Sequence, residues 1–449
     1  MVDSKKETIH AFLYTALSKI VTYVLVFVFA NYYISEEYGL GNLAFNIRNI
    51  VIIATSIGLV DGLVPFIVMK KKINSILKSL VFINLLFTII GLIASIKYPI
   101  FLPFALTLPF SLLSSISLAF WRAKSRYGFA NFAGLFGVIL ILIFAFFFSS
   151  LGSLGLTLSY SLGYLLASIL VFYPIRKELF NSLKGKFKFE DTKDYLKQGL
   201  AITFISNLFL LISSIDSAIL GIPGDFRLIA EFAIASAISG IISMIPLTLA
   251  LFMITRASQI KNKQKSLDIF HRITRISFFT SISAAILLVI FTPLILKLFF
   301  PLYENIGVYI LTLSLGMVFF SSYYIIYSYY IGKIQSQRAV LPVLVGLIIN
   351  IALSLIFVSQ YGIIAICIAN ALAHLVTLLL MAKNEKMKRV VFMSSFSIIL
   401  IPLVYFIGYW GILIFLVLMP LSILFKIITL EDIRVLKEAI LNQNIIKSK

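Results

Sequence analysis

Two ionisable residues stand inside apolar stretches near the N-terminus, Lys19 in residues 9–33 and Asp61 in residues 43–69. In helices rising about 1.5 Å per residue, Lys19 is about 15 Å and Asp61 about 13 Å from the basic ends of their stretches. The two depths match. Thr15, Thr22 and Tyr23 share the helical face of Lys19, giving a polar stripe with an ammonium at its centre. A lone charge in hydrocarbon is costly unless it is paired or faces water. Two readings follow: a Lys19–Asp61 pair that only locks two helices, or a cavity-lining pair that meets an anionic group.

A second polar face runs through residues 198–220, with Thr203, Ser206, Asn207, Ser213, Ser214, Asp216 and Ser217. It is expected to point at the same cavity. Asp216 lies near the end of that stretch, where a helix-terminal or interhelical hydrogen bond competes with ion or proton coupling. Arg256 closes a later stretch and reads as a basic anchor or as a phosphate contact. Arg48 and Glu231 are expected at the starts of their stretches, near the membrane surface. His374 reads as a packing residue, and Asn350 and Asn370 as amides that join helices.

The remaining chemistry is excluded by what the chain does not contain. There is no Gly-x-x-x-x-Gly-Lys phosphate loop, no His-Glu-x-x-His, no Cys/His cluster and no Asp-x-Asp pair. No catalytic residues, no metal and no cofactor are therefore expected, and an enzyme is not the reading. A membrane glycosyltransferase or polymerase is the weakest alternative. The single cysteine, Cys367, cannot form an internal disulfide. Without a nucleotide site, any driving force is external, and a coupling ion, H+ or Na+, is left open.

The elements that must hold these residues are set by composition. At 61% hydrophobic and 12% charged residues, with mean hydropathy +1.05 over 449 residues, only a bilayer can solvate the chain. Each crossing takes about 20 apolar residues, and its backbone must be satisfied within a helix. Expected spans are 9–33, 43–69, 79–96, 98–120, 129–149, 153–173, 198–220, 229–254, 273–297, 306–330, 339–358, 361–381, 390–407 and 409–428. The first is read as a retained span rather than a signal peptide.

Net charge +20 could suggest nucleic acid, but the basic residues alternate from break to break. All but five of the 38 fall on one side; the exceptions are Lys97, Arg227 and Lys297 on the other side and Lys19 and Arg48 within spans. By the positive-inside rule the rich side is cytoplasmic, as are both termini, in a multi-pass protein of the cell membrane. No nucleic-acid partner is expected.

Residues 174–197 form the long polar stretch of the interior and divide the chain. The expected organisation is an N-lobe at 1–173 and a basic cytoplasmic linker at 174–197. A C-lobe follows at 198–382, two further spans at 383–428 and an amphipathic tail at 429–449. The lobes repeat weakly: Glu37-Tyr38 matches Glu231-Phe232, Lys124 matches Lys333, and Gly155-Leu156 matches Gly362-Ile363. An even number of crossings per copy makes this a parallel repeat.

Ser35-Glu36-Glu37-Tyr38-Gly39, Ile215-Asp216-Ser217-Ala218-Ile219-Leu220-Gly221, Gly346 through Asn350, and Ser359-Gln360-Tyr361-Gly362-Ile363 resemble the polysaccharide biosynthesis (oligosaccharide flippase) family. That family belongs to the multidrug/oligosaccharidyl-lipid/polysaccharide exporter superfamily, and the resemblance covers about residues 8 to 382. It implies an all-α fold with two six-helix lobes around a central cavity, opened alternately to each side. It also implies a lipid-linked sugar as cargo among the membrane lipids. A cation-coupled drug antiporter of the same superfamily is the nearer alternative, but it would want an acidic cavity, whereas Lys19 and Arg48 favour an anionic cargo.

Overall fold

The computed structural model describes residues 4–56, 63, 64, 67, 73–124, 126–190, 193, 207–260, 262–333, 335, 337–385 and 387–424. Asp61, Thr203, Ser206 and the expected tail at 429–449 lie outside the described residues. Among the described residues there are helices and no strands.

The first helices are α1 (Ser4–Tyr32), α2 (Ser35–Ser56), α3 (Asn74–Lys97), α4 (Leu102–Ala123), α5 (Tyr127–Phe147) and α6 (Gly152–Phe172). A short α7 (Arg176–Leu183), α8 (Leu208–Leu220), α9 (Phe226–Gly240) and α10 (Met244–Gln259) follow. The last are α11 (Lys263–Phe299), α12 (Gly307–Gly332), α13 (Gln337–Tyr361), α14 (Ile363–Asn384), α15 (Lys388–Ile407) and α16 (Gly411–Leu424).

Helix α3 shows which solvent this fold answers to. It buries Ser75, Asn84, Thr88 and Ser95 and exposes Phe82, Leu86, Ile89 and Ile93. In water that arrangement would be inside out; in lipid it covers the polar groups and presents hydrocarbon to hydrocarbon. Hydroxyls buried this way bond back to their own helix, as Thr88 Oγ1 does to the Asn84 carbonyl at 2.8 Å. Eleven segments among the described residues are long and apolar enough to cross a membrane. The expected spans 43–69 and 198–220 are described only in part, by α2 and α8, and the last two expected spans meet in one continuous segment, Ser394–Val417.

The chain forms two compact units, Met1–Ile234 and Ala235–Lys449. In the first, α1 packs along α5, α3 on α4, α4 and α5 on α6, and α8 on α2. The polar stretch after α6 is folded against this unit: Ile175 and Leu179 are buried among Ile76, Leu77, Leu112, Ile116 and Phe120. In the second unit α12 is the central helix, packed by α10, α11 and α14. His374 on α14 is buried there with its Nδ1 3.0 Å from the Tyr323 hydroxyl on α12.

The internal repeat is legible in the turns. Lys124 ends α4 with its N–H on the Phe120 carbonyl, and Arg126 N–H follows onto Trp121; Lys333 ends α12 on Tyr329, and Gln335 follows onto Tyr330. The match of Lys124 with Lys333 therefore holds at the level of backbone hydrogen bonds. The match of Gly155 with Gly362 shifts by one helical turn. Gly152 (φ 56, ψ −135) and Gly362 (φ 55, ψ −134) are the equivalent pair, because both turns need a left-handed residue that a side chain disfavours. Gly155 instead lets its helix close on the Phe148 carbonyl.

Candidate functional site

Lys19 sits on an exposed face of α1, away from the packed core of its unit. Of its expected companions, Thr15 is also exposed and its Oγ1 accepts from Asn131 Nδ2 on α5 at 3.0 Å. Thr22 is half-buried, and its hydroxyl donates to the Ser18 carbonyl at 2.8 Å within α1. Among the described residues, the Lys19 ammonium has no partner and is flanked by hydroxyls already engaged with protein.

The polar face of α8 makes a different contact from the one expected. Ser214 Oγ donates to Asn46 Oδ1, and Asn46 Nδ2 donates to Ser217 Oγ, each at 3.2 Å. Asp216 beside them is fully buried and engaged. Ser214 and Ser217 therefore join α8 to α2 rather than face open space. Asn207 is half-buried at the start of α8, where its carbonyl accepts from the Leu211 N–H at 2.8 Å. Ser213 lies within α8 and Arg256 within α10.

Arg48 requires a correction. A hydropathy window starts its span at 43, which would leave the guanidinium near the membrane surface. Helix α2 starts at Ser35, so Arg48 lies mid-helix and is 6% exposed. The first turn of α2 is polar, with Glu36 and Glu37, and Glu37 Oε2 accepts the Ser153 N–H at 2.6 Å, capping the first turn of α6 with a carboxylate. Glu231 does stand in the first turns of its helix, paired with Arg227 at 3.2 Å.

Comparison with known proteins bears on what such a bundle does. A family model described as lipid II flippase MurJ matches residues 70–430. An uncharacterized membrane protein of Methanocaldococcus jannaschii is 28% identical over 409 residues, spanning 83% of this chain and 94% of its own length. The solved structure of lipid II flippase MurJ in an inward closed conformation superposes with TM-score 0.72 at 18% identity, over 93% of this chain and 99% of that one. An inward-facing multidrug resistance transporter of the MATE family, from the MOP superfamily, does so with TM-score 0.64 at 14% identity, over 84% and 98%. At such identities the two superpositions establish the fold.

Proposed function

Because the chain belongs to the family of the lipid II flippase MurJ, we propose that it moves a lipid-linked oligosaccharide, a polysaccharide precursor, across the cell membrane by alternating access. The observation that carries this reading is the family match over residues 70–430, most of the membrane-spanning part of the chain. The match lies within the exporter superfamily that the sequence motifs resemble.

Within this reading Lys19 is the cavity cation. Its side chain on α1 is exposed, and a phosphate-bearing headgroup offsets its charge while neighbouring hydroxyls exchange hydrogen bonds with sugars. Asp61, outside the described residues, is its candidate partner from the sequence. Asn207, Ser213, Asp216 and Arg256 are the further cavity candidates. The termini lie in the cytoplasm, on the side that carries the basic excess. The energy source is an ion gradient of H+ or Na+ or the pull of downstream polymerisation.

The test is reconstitution. Purified protein in liposomes is expected to move a fluorescent polyprenyl-diphosphate-sugar between leaflets without ATP. If the liposomes instead exchange H+ or Na+ for small organic cations and leave the labelled lipid in place, the protein is an antiporter and the flippase reading is wrong.

A further inference from the structure

The polar stretch after α6 has two faces. Inward, Ile175 and Leu179 are buried against α3 and α4. Outward, Phe180, Phe187 and Phe189 are each more than half exposed, and Lys177, Lys184, Lys186 and Lys188 stand exposed among them. Lysine and phenylalanine alternate through Lys186-Phe187-Lys188-Phe189. Of the two carboxylates in residues 173–190, Glu178 is engaged by Lys124 at 2.6 Å, so within the segment Glu190 alone opposes the four lysines.

The backbone that carries this face is fixed to the start of α3. Asn74 Nδ2 donates to the Lys186 carbonyl at 2.8 Å, Lys78 Nζ to the Gly185 carbonyl at 2.7 Å, and the Lys188 N–H to Ser75 Oγ at 2.8 Å. Gly185 (φ 118) makes the turn where a side chain would crowd Asn74 Nδ2. All three bonds use main-chain groups of the segment, so its lysine and phenylalanine side chains remain outside.

The attachment sets the depth. Helix α3 has 24 residues, about 36 Å at about 1.5 Å per residue, against about 30 Å of hydrocarbon. Its first turn therefore emerges among the headgroups, and the segment bonded to that turn lies at the same level. Exposed rings interleaved with ammonium groups are a poor match for water alone. They fit the boundary between acyl chains and acidic headgroups, where rings seat below the phosphates and lysine stems run along the apolar surface to reach them. We propose that residues 177–189 form a docking surface for the acidic phospholipid headgroups of the surrounding bilayer. Phe180, Phe187 and Phe189 seat at the interface, and the four lysines meet the phosphates. A soluble acidic protein would match the charge but not the depth. Nothing in this surface depends on the identity of the cargo.

The probe is phosphatidylglycerol, with phosphatidylcholine as control, titrated into micelles of the purified full-length protein carrying Cys367→Ala and Asn181→Cys. An environment-sensitive fluorophore is attached at position 181, which is exposed beside Phe180. Phosphatidylglycerol is expected to shift its emission to the blue saturably, and less so at high salt; phosphatidylcholine is not. Lys186→Gln combined with Lys188→Gln should raise the half-saturating lipid content by about tenfold or more, from roughly fivefold per lost lysine. Phe189→Ser should shrink the shift with every lysine in place, and it keeps the test open if the double variant does not fold. Lys97→Gln, at the far end of α3, should change nothing. Equal responses to the two lipids, an unchanged half-saturation in the double variant, an undiminished shift in Phe189→Ser, or an equal loss from Lys97→Gln overturns the surface. If neither lipid moves the label, the face is open to a soluble partner and the lipid assignment is wrong.

Discussion

Glu37 Oε2, near the start of α2, accepts the backbone N–H of Ser153 at 2.6 Å and so caps a helix 116 residues further along the chain. Glu37 is part of the Ser35-Glu36-Glu37-Tyr38-Gly39 motif that carries the family resemblance, and its observed work is architectural. Glu37→Ala should lose about 1–2 kcal/mol of stability, the usual value of a helix N-cap. Melting of the purified variant checks this, and full wild-type stability would refute the capping role.

The Asn46 amide bridges Ser214 and Ser217 across the α2–α8 contact. Removing it leaves buried hydroxyls beside a buried Asp216, at about 1–3 kcal/mol. Asn46→Ala is expected to melt earlier, and adding Ser217→Ala should cost less than the sum of the single changes. Additive losses would show that the two side chains do not interact.

Two carboxylates should differ sharply in what they contribute. Glu178 pairs with Lys124 at 2.6 Å, but the side chains are 52% and 39% exposed. Glu385 accepts from the Tyr330 hydroxyl at 2.8 Å, lies 3.5 Å from Arg338 and is 10% exposed. Glu178→Gln should change stability by less than about 1 kcal/mol, and Glu385→Ala should cost about 1–3 kcal/mol by stranding a buried phenol. Equal effects in a denaturation series would contradict this ranking.

Sidedness can be read by labelling. Glu36, Ser150, Gln360 and Lys186 are all exposed, and the native Cys367 is buried. In a Cys367→Ala background, cysteines at positions 36, 150 and 360 should react with an impermeant reagent in intact cells, and one at 186 should not. Labelling at 186 would invert the proposed orientation.

Lys19 offers a separation of transport from folding. Because its side chain is exposed, Lys19→Ala should shift stability by no more than about 0.5 kcal/mol while slowing lipid movement in liposomes. Charge reversal in Lys19→Glu should slow it further than Lys19→Gln, since repulsion is added to lost attraction. Recovery of transport in the swapped Lys19→Asp/Asp61→Lys protein would mark the pair as structural.

Much of this protein was legible before any coordinates. The membrane class, the all-helical fold, the multispan plan and the Lys124–Lys333 repeat follow from composition, run length and turn residues, all of which are local. A bilayer makes that local information unusually strong, because every crossing must close its own backbone hydrogen bonds. Helix ends were less legible. Hydropathy trims polar first turns, so it placed Arg48 at the start of a span, although α2 begins at Ser35.

Side-chain pairing was decided by the tertiary structure alone. Ser214 and Ser217 read as cavity-lining from sequence and are committed to Asn46, which lies 168 and 171 residues away. His374 reads as a packing residue from sequence and meets Tyr323 from a neighbouring helix. The rings that pack around Arg48, those of Phe45, Phe104 and Tyr164, come from α2, α4 and α6. The physical reason is common to all three: helical periodicity says which residues share a face, but the rotation and crossing of packed helices determine which face meets which, and that is set by the whole interface at once.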